Sequence, residues 1–423
     1  LIRESSELVK ENIKKKFQNE KLPLVDKISK SDSEWRKLKG QIDKLRAERN
    51  SISREIARAK KEKKETEAKK LLKKAKEIPG KILKTEEKAT KLKSEINKLL
   101  LQIPNIISKH TPIGKDASAN KEIKKWGKIP KFDFKIKNHV ELLEELGLAD
   151  FDASAKVSGT GFYYLKNELA LLNQALIKFA IDFMTKKGYV YLETPLMLNE
   201  KFLFASMDKT AIENSVYLIK DYDLGLIGTA EQSLLAMHSG EAISFQELPK
   251  KYFSYSMCFR KEIGSHGIDE KGLWRTHQFN KIEQFIFCKP EDSEELYDEL
   301  LKNSEDLMQA LKLPYRIVEI CSGDLADWKN RSADIEVYRP TTKEYGEVGS
   351  LSNCIDYQAR KLGIRYIDKQ NERHILHTLN NTALATSRIM VAILENYQQK
   401  DGTIRIPEAL VPYMNGKKII GKR

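Results

Sequence analysis

Two heptad repeats near the N-terminus constrain the fold of this chain more than any other feature. The first apolar seam runs from residue 35 to 59, the second from 71 to 99, and residues 60–70 between them are mostly charged. The seam positions are Trp35, Leu38, Ile42, Leu45, Arg49, Ile52, Ile56 and Ala59, then Leu71, Ala75, Ile78, Ile82, Thr85, Ala89, Leu92, Ile96 and Leu99. Because apolar residues at 3-4 spacing pack helix against helix, we expect an antiparallel hairpin with arms of about 30 residues, or about 45 Å.

Two further features bear on this hairpin. Pro79-Gly80 should interrupt and kink the second arm, because proline lacks a backbone donor and clashes with the preceding turn. Pro104-Asn105 should end the arm. A self-dimerising coiled coil is the alternative interpretation, although a hairpin already buries its own seam.

The positive charge of the chain is confined to this N-terminal part. Residues 1–100 contain 31 Lys and Arg against 17 Asp and Glu, and their excess equals the +14 of the whole 423-residue chain. This asymmetry predicts a basic nucleic-acid-binding domain, residues 1–104, attached to a neutral domain, residues 105–423. A solvated helical surface without a partner is the alternative.

The cysteines indicate a reducing compartment. Cys258, Cys288, Cys321 and Cys354 are widely spaced, which argues against a disulfide framework and a structural zinc site. No run of 18 apolar residues and no signal-peptide pattern occurs. We therefore expect a cytoplasmic protein with no membrane segment and no zinc.

The remainder of the chain mixes short strands with helices. Residues 105–160 are rich in loop-forming residues, and an amphipathic helix is predicted from about Asn167 to Lys187, followed by a strand at 189–192. Farther along, the clearest helices are 290–311 and 382–399. This order predicts an α+β fold in which helices flank an antiparallel sheet.

Two predicted strands carry charge where a buried strand should be apolar. Arg260 and Glu262 alternate onto one face of the first strand, and Lys281 and Glu283 onto one face of the second. The intervening loop, residues 263–275, contains glycines at 264, 267 and 272. Fixed charges on a sheet face require a polar ligand or a partner charge, so we expect a nucleotide platform or, alternatively, a cross-strand salt-bridge set.

Three segments resemble the motifs of class II aminoacyl-tRNA synthetases. The helix and strand leading to Pro195 resemble motif 1, Phe259-Arg260-Lys261-Glu262 with the strand through Glu283 resembles motif 2, and Leu384-Ala385-Thr386-Ser387-Arg388 resembles motif 3. The resemblance is closest to the seryl-tRNA synthetases and covers nearly the whole chain. It includes Leu1-Ile2-Arg3-Glu4, Arg49-Asn50, Gly228-Thr229-Ala230-Glu231, the segment Ser352–Arg360, and the two-helix arm.

This resemblance implies a fold and an activity. The fold would be the class II antiparallel sheet with an N-terminal coiled-coil arm. The protein would be a homodimer that uses ATP and Mg²⁺ to activate L-serine and charges tRNA(Ser), and also tRNA(Sec) where present. The basic arm would bind the tRNA by its backbone shape.

The resemblance also implies roles for individual residues, with Arg260, Glu283 and Arg388 as the catalytic group. The serine-binding residues would be Thr229, Ala230, Glu231, Arg260, Glu283 and Thr382. The ATP-binding residues would be Arg260, Lys261, Glu262, Thr276, Phe279, Glu347, Val348, Gly349, Ser350 and Arg388. Glu347 and Ser350 would hold Mg²⁺, a hard cation that prefers oxygen ligands.

Some residues depart from the family pattern or receive no role. Ala383 and Ser387 stand where motif 3 usually has glycines. The sequence Gly264-Ser265-His266-Gly267 resembles that of archaeal members more than that of bacterial ones. We expect no acid–base role for His266 or His277, because the attacking carboxylate is already ionised. Cys354 is expected to serve in packing.

Two other functions stay open at this point. A non-catalytic RNA-binding paralogue would retain the same body, and a ligase that charges a carrier protein would lack the arm. The zinc-dependent type of seryl-tRNA synthetase is disfavoured because no cysteine cluster accompanies Glu283.

Overall fold

The chain divides into two compact units, Leu1–Pro104 and Asn105–Arg423. The computed structural model describes residues 1–262 and 271–421, apart from the side chain of residue 209. The segment Gly264-Ser265-His266-Gly267 therefore lies outside the described residues. Within the described residues, no helix is long and apolar enough to cross a membrane.

The N-terminal unit is built on a long helical hairpin. Its helices are α1, Ser6–Lys15; α2, Leu22–Lys61; and α3, Glu65–Leu100. The predicted seam is confirmed, because its apolar members are buried or half-buried between α2 and α3 while Arg49 is exposed. The turn is tighter than residues 60–70, since only Glu62, Lys63 and Lys64 separate the two helices.

Pro79 does not interrupt the second arm, so the predicted interruption is wrong. Helix α3 continues through Pro79 from Glu65 to Leu100. Ile78 and Ile82 flank the proline and are buried with Ile52 of α2 in one apolar cluster. The lost backbone hydrogen bond is local, whereas this packing acts on both sides of it and keeps the helix continuous.

The second unit combines one large sheet with smaller strand pairs and helices. Its strands are β1, Lys121–Trp126; β2, Ala149–Asp150; β3, Tyr164–Leu165; β4, Val190–Tyr191; β5, Met197–Leu198; β6, Gly225–Leu226; β7, Ala242–Ser244; β8, Lys250–Phe259; β9, Gln278–Cys288; β10, Tyr315–Glu319; β11, Arg331–Arg339; β12, Glu344–Ile355; β13, Arg365–Ile367; β14, Arg373–Ile375; β15, His377–Ala385; β16, Ile404–Arg405; and β17, Ile419–Ile420. Its helices are α4, His139–Glu145; α5, Phe151–Ser158; α6, Asn167–Lys186; α7, Glu200–Ser206; α8, Lys209–Ser215; α9, Ala230–Ala236; α10, Ser293–Ala310; α11, Tyr357–Leu362; and α12, Thr386–Tyr397.

The large sheet has eight strands in the order β1-β10-β11-β12-β15-β9-β8-β4. Every neighbouring pair is antiparallel except β4 and β8 at one edge. Apolar side chains of α6, α10 and α12 join those of the central strands in one buried cluster. The predicted α+β arrangement with helices flanking an antiparallel sheet is confirmed.

Two boundaries differ from the sequence-based prediction. The loop-rich stretch 105–160 contains β1, an edge strand of the large sheet, whose Lys-rich sequence gave no apolar alternation. The last long helix begins at Thr386 rather than 382, because residues through Ala385 belong to β15. Thr382 is therefore a strand residue that faces Glu283 across the β15–β9 pair.

Candidate active site

A cavity of about 550 Å³ opens over the central strands of the large sheet. Thirteen of the fifteen residues predicted for serine, ATP or Mg²⁺ line it, although they come from segments far apart in the chain. These are Thr229, Glu231, Arg260, Glu262, Thr276, Phe279, Glu283, Glu347, Val348, Gly349, Ser350, Thr382 and Arg388. The fold thus brings together residues that the sequence could only name one by one.

Two predicted residues do not line this cavity. Ala230 is fully buried in an apolar cluster with Leu234 and Phe285. Lys261 donates from its side-chain Nζ to the backbone oxygen of Glu213 at 3.4 Å and from its backbone N–H to Ser215. Their chain neighbours Thr229, Glu231, Arg260 and Glu262 line the cavity instead.

Arg260 and Glu262 follow strand β8 rather than lying within it, which corrects the alternation expected for them. The strand ends at Phe259, and Glu262 has a positive φ of 53°. Arg260 Nε donates to the backbone oxygen of Gly228 at 3.1 Å, and its guanidinium lies 5.3 Å from the ring centre of Phe279. Glu262 pairs with Arg275 at 3.4 Å.

The serine side of the predicted site is a buried charged pair on β9. Lys281 Nζ lies 2.7 Å from Glu283 Oε2, and the two side chains are only 7% and 2% exposed. Thr382 is the register partner of Glu283 on the neighbouring strand β15. A carboxylate and a hydroxyl therefore face the cavity together, as a small hydroxylated ligand requires.

Glu231, the other predicted serine-binding carboxylate, lies at the start of α9. The hydroxyl of Thr229 caps this helix by accepting from the backbone N–H of Glu231 at 3.3 Å. Burial, and after it the charge of Glu283, raise the pKa of Glu231. Amide donors from Gln358 and Asn380 reach its Oε1 atom at 2.7 and 3.1 Å.

The opposite side of the cavity carries the predicted phosphate and metal residues. Arg388, near the N-terminus of α12, contacts the backbone oxygen of Glu347 at 2.7 Å and its carboxylate at 3.2 Å. Desolvation in the cavity opposes ionisation of Glu347, but the charge and hydrogen bond of Arg388, together with the charges of Arg260 and Lys329, outweigh it and lower the pKa of Glu347. Asp334 is the register partner of Ser350, and burial, followed by the charge of Glu347, raises the pKa of Asp334 to about 7.

Arg388 packs against Trp274, which in turn packs against Arg339. Its Nε donates to the backbone oxygen of Trp274 at 3.3 Å, and its guanidinium lies 5.5 Å from the centre of that ring. Arg339 lies 4.4 Å from the same ring centre. A side chain at Gly346 would come within 2.4 Å of the ring, so only glycine leaves room for Trp274 there.

Comparison with known proteins places this geometry in a family. Residues 1–107 match the family described as seryl-tRNA synthetase N-terminal domain, and residues 217–397 match the tRNA synthetase class II core domain for G, H, P, S and T. The chain is 45% identical over 417 residues to the serine–tRNA ligase of Methanocella arvoryzae, covering 98% of each protein. The chain belongs to the seryl-tRNA synthetase family.

Solved structures of this family agree in fold. The crystal structure of seryl-tRNA synthetase from Pyrococcus horikoshii complexed with ATP matches with a TM-score of 0.95 and 42% identity, over 100% of this chain and 99% of that one. The cytoplasmic serine–tRNA ligase from Naegleria fowleri in complex with AMP matches with a TM-score of 0.88 and 34% identity, over 99% of this chain and 96% of that one. The class II synthetase fold with its helical arm is confirmed.

Two other residues discussed in the sequence analysis, His277 and Cys354, lie outside the cavity lining. His277 Nδ1 lies 2.9 Å from both the backbone oxygen of Arg260 and the hydroxyl of Tyr217, so it holds the backbone beside the site. Cys354 is buried and is a free thiol.

Other cavity-lining residues were missed by sequence reasoning. Trp274, Trp328, Lys329 and Asn380 all line the cavity, and Lys281 was noted only as a charged strand residue. Nothing in the local pattern around these residues marks them, because their proximity to the site arises from the pairing of distant strands. Only the charge of Lys281 on an otherwise buried strand was a usable signal.

Proposed function

We propose that this chain activates L-serine with ATP and transfers the seryl group to tRNA(Ser), and to tRNA(Sec) where that tRNA exists. The observation that carries this proposal is one cavity whose predicted serine side, with Glu231 and Glu283, is continuous with its predicted phosphate side, with Glu347 and Arg388. Arg260 lines the same cavity, and we assign its guanidinium to hold both the amino-acid carboxylate and the α-phosphate.

The activation step joins the two substrates directly. A carboxylate oxygen of serine attacks the α-phosphorus of ATP, the bond from that phosphorus to the bridging oxygen breaks, and pyrophosphate leaves with the electron pair. Negative charge grows on the phosphate oxygens, so positioned cations lower the barrier without a covalent nucleophile. Arg260, fixed by Gly228 and Phe279, and Arg388, fixed by Glu347 and Trp274, are those cations.

Serine recognition follows from the polar groups of the pocket. Glu231 and Glu283 provide negative charge for the substrate ammonium, and Thr229 and Thr382 provide hydroxyl groups beside them. A pocket that hydrogen-bonds a substrate hydroxyl rejects analogues without it by about 10⁴ to 10⁵, because its own polar groups would be left unpaired. Alanine is therefore expected to be a very poor substrate.

The nucleotide side contains residues that suit adenine and a divalent cation. Glu262, Thr276 and Phe279 line one part of the cavity, and Val348 and Gly349 line the part next to Glu347. Glu347 and Ser350 offer oxygen ligands to Mg²⁺, and the crowding of Asp334 against Glu347 is the charge arrangement that a divalent cation relieves. When bound, Mg²⁺ would neutralise charge on the phosphates.

We assign tRNA binding to residues 1–104 and both chemical steps to residues 105–423. Arg54, Arg58, Lys61, Lys63 and Lys64 cluster at and next to the turn of the basic hairpin, where phosphate contacts are available. The hairpin buries its own seam, which argues against its use as a self-dimerising coiled coil.

Further parts of the proposal concern assembly and location. We propose a homodimer, because large apolar side chains around the motif 1 segment are exposed, namely Val190, Leu196, Met197 and Phe204. The four buried free thiols suit the cytoplasm. Among the residues that the structure describes, no cysteine forms a metal-ligating cluster with Glu283, and we propose zinc-independent activity. Light scattering of the purified chain and activity after chelation with zinc-selective reagents test these statements.

The decisive experiment is ATP–pyrophosphate exchange measured separately with serine, threonine, alanine, glycine and cysteine. We expect exchange with serine alone and its loss in Glu283→Ala, followed by charging of tRNA(Ser) transcripts by the wild type. Glu408→Ala, at an exposed ion pair with Lys312, is the matched control. Absence of exchange with every amino acid, together with retained tRNA binding, would instead identify a non-catalytic RNA-binding paralogue.

A further inference from the structure

Gln358 lies next to the serine-binding carboxylate but outside every motif role considered above. It belongs to the first turn of α11 and is completely buried. Its Nε2 donates to Glu231 Oε1 at 2.7 Å and to the backbone oxygen of Ser206 at 3.0 Å. Its Oε1 accepts from the hydroxyl of Thr378 at 2.7 Å. One amide therefore connects the serine pocket with two other parts of the fold.

The orientation of this amide is fixed by the nature of its partners. A carboxylate and a backbone carbonyl can only accept hydrogen bonds, so the NH₂ group of Gln358 must face Glu231 and Ser206. The hydroxyl of Thr378 can donate and satisfies the remaining oxygen. A flipped amide would place oxygen against oxygen at both ends. The side chain thus has one favourable arrangement, which makes it a rigid support.

The hydrogen bonds to Glu231 engage only one of its two carboxylate oxygens in the part of the chain that the structure describes. Gln358 and Asn380 both donate to Oε1, and in the described part of the chain no donor reaches Oε2. The second oxygen is therefore left for a ligand on the cavity side. Two hydrogen bonds also favour the ionised carboxylate, which burial and the charge of Glu283 oppose.

The contact with Ser206 extends the same support to a wall of the cavity. Ser206 ends helix α7, and its hydroxyl accepts from the side-chain amide of Gln232 at 3.2 Å. The segment that follows contributes Met207, Ala211 and Ser215 to the cavity lining. Gln358 therefore connects Ser206, where this segment of the cavity wall begins, to the carboxylate of Glu231.

We propose that Gln358 is a positioning residue for serine binding, which orients the Glu231 carboxylate toward the substrate ammonium and aligns it with the wall that begins at Ser206. This inference rests on the proposed serine activation. It predicts that Gln358 acts on serine and not on ATP, because its contacts end at the serine side of the cavity.

The test measures KM for serine and KM for ATP in serine-dependent pyrophosphate exchange by the full chain. Gln358→Met keeps similar volume and removes both donors, and Gln358→Glu keeps the shape but cannot donate when ionised. In both variants we expect KM for serine to rise about tenfold to hundredfold, the range for losing a hydrogen bond to a charged group. KM for ATP should stay within about twofold of the wild type.

Matched controls separate positioning from general damage. Thr378→Val removes the third contact of the same amide and leaves both donors in place, so its KM for serine should remain close to wild type. Asn380→Ser removes the second amide donor to Glu231, together with a 4.0 Å contact to Cys354 Sγ, and should raise KM for serine without touching α11. It therefore keeps the test valid even where Gln358 variants do not fold.

Each result decides between the possibilities. Equal changes in both KM values, or a lower kcat with both KM values unchanged in the Gln358 and Asn380 variants, would overturn the positioning role. A wild-type protein without serine-dependent exchange would instead refute the proposed function itself. The two failures are distinguishable because the second appears before any substitution is made.

Discussion

A buried carboxylate on the motif 3 helix provides the sharpest quantitative prediction. Glu395 of α12 is completely buried and accepts from Arg339 Nη2 at 2.9 Å and from Thr341 Oγ1 at 2.7 Å. His139 Nδ1 lies 3.4 Å away. Arg339 in turn stacks on Trp274, the residue that contacts Arg388. Replacing Glu395 therefore tests whether the packing around Arg339, Trp274 and Arg388 depends on one buried charge.

Glu395→Gln preserves the shape of the side chain and removes its charge. Breaking a buried ion pair by removing one partner costs about 3 to 5 kcal/mol, because the other charge stays buried. Glutamine retains one acceptor oxygen, so we place the loss in unfolding free energy at the lower end, about 3 kcal/mol. Urea unfolding at pH 7, followed by tryptophan fluorescence, measures this loss. Glu408→Gln, at an exposed pair, should change the free energy by less than about 0.5 kcal/mol.

The pH dependence gives this prediction a second test. Burial raises the pKa of Glu395, but the nearby His139, the hydrogen bonds of Arg339 and Thr341, and the charge of Arg339 together outweigh it and lower the pKa of Glu395 below its ordinary value. A carboxyl whose pKa is lower in the folded state adds stability above its unfolded pKa, about 4.3, and loses that stability as pH falls through the folded pKa. The difference between wild type and Glu395→Gln should therefore shrink below about pH 4. A loss under about 1 kcal/mol at pH 7, or a difference that persists unchanged to pH 3, would refute the reasoning.

Three further predictions concern the two proposed activities. Arg260→Ala should abolish serine-dependent pyrophosphate exchange and leave tRNA binding in a filter assay within about twofold, because the lost cation faces only the reacting groups; retained exchange would disprove its role. Lys281→Met leaves the buried Glu283 without its cation and should raise KM for serine about tenfold or more, whereas Lys250→Met at a surface pair should not. Deleting residues 31–100 should leave exchange largely intact and abolish tRNA charging, and equal loss of both would show that the arm supports the catalytic fold.

Local patterns in the sequence were sufficient for the helical arm and the motif strands. A heptad seam is a regular spacing of apolar residues along the sequence, so it can be read from neighbouring residues without knowledge of the tertiary structure. Pro79 shows the limit of such local patterns, because packing between the two helices keeps α3 continuous through a residue that disfavours helix. The same limit explains the start of α12, where Thr382 belongs to a strand because β15 pairs with β9.

In the candidate site, too, some residues could be predicted from local sequence and others only from the tertiary structure. Arg260, Glu283 and Arg388 could be named from the sequence because each stands in a short motif with a recognisable spacing. Strand alternation already placed Lys281 and Glu283 on one face, whereas tertiary structure alone decided that Trp274 supports Arg388 and that Gln358 holds Glu231. These contacts join residues through strand pairing and helix packing across the unit, where sequence separation carries no information about distance. The sequence by itself determined which chemical groups are available, and the tertiary structure decided which of them meet, because burial makes their charges and hydrogen bonds depend on one another.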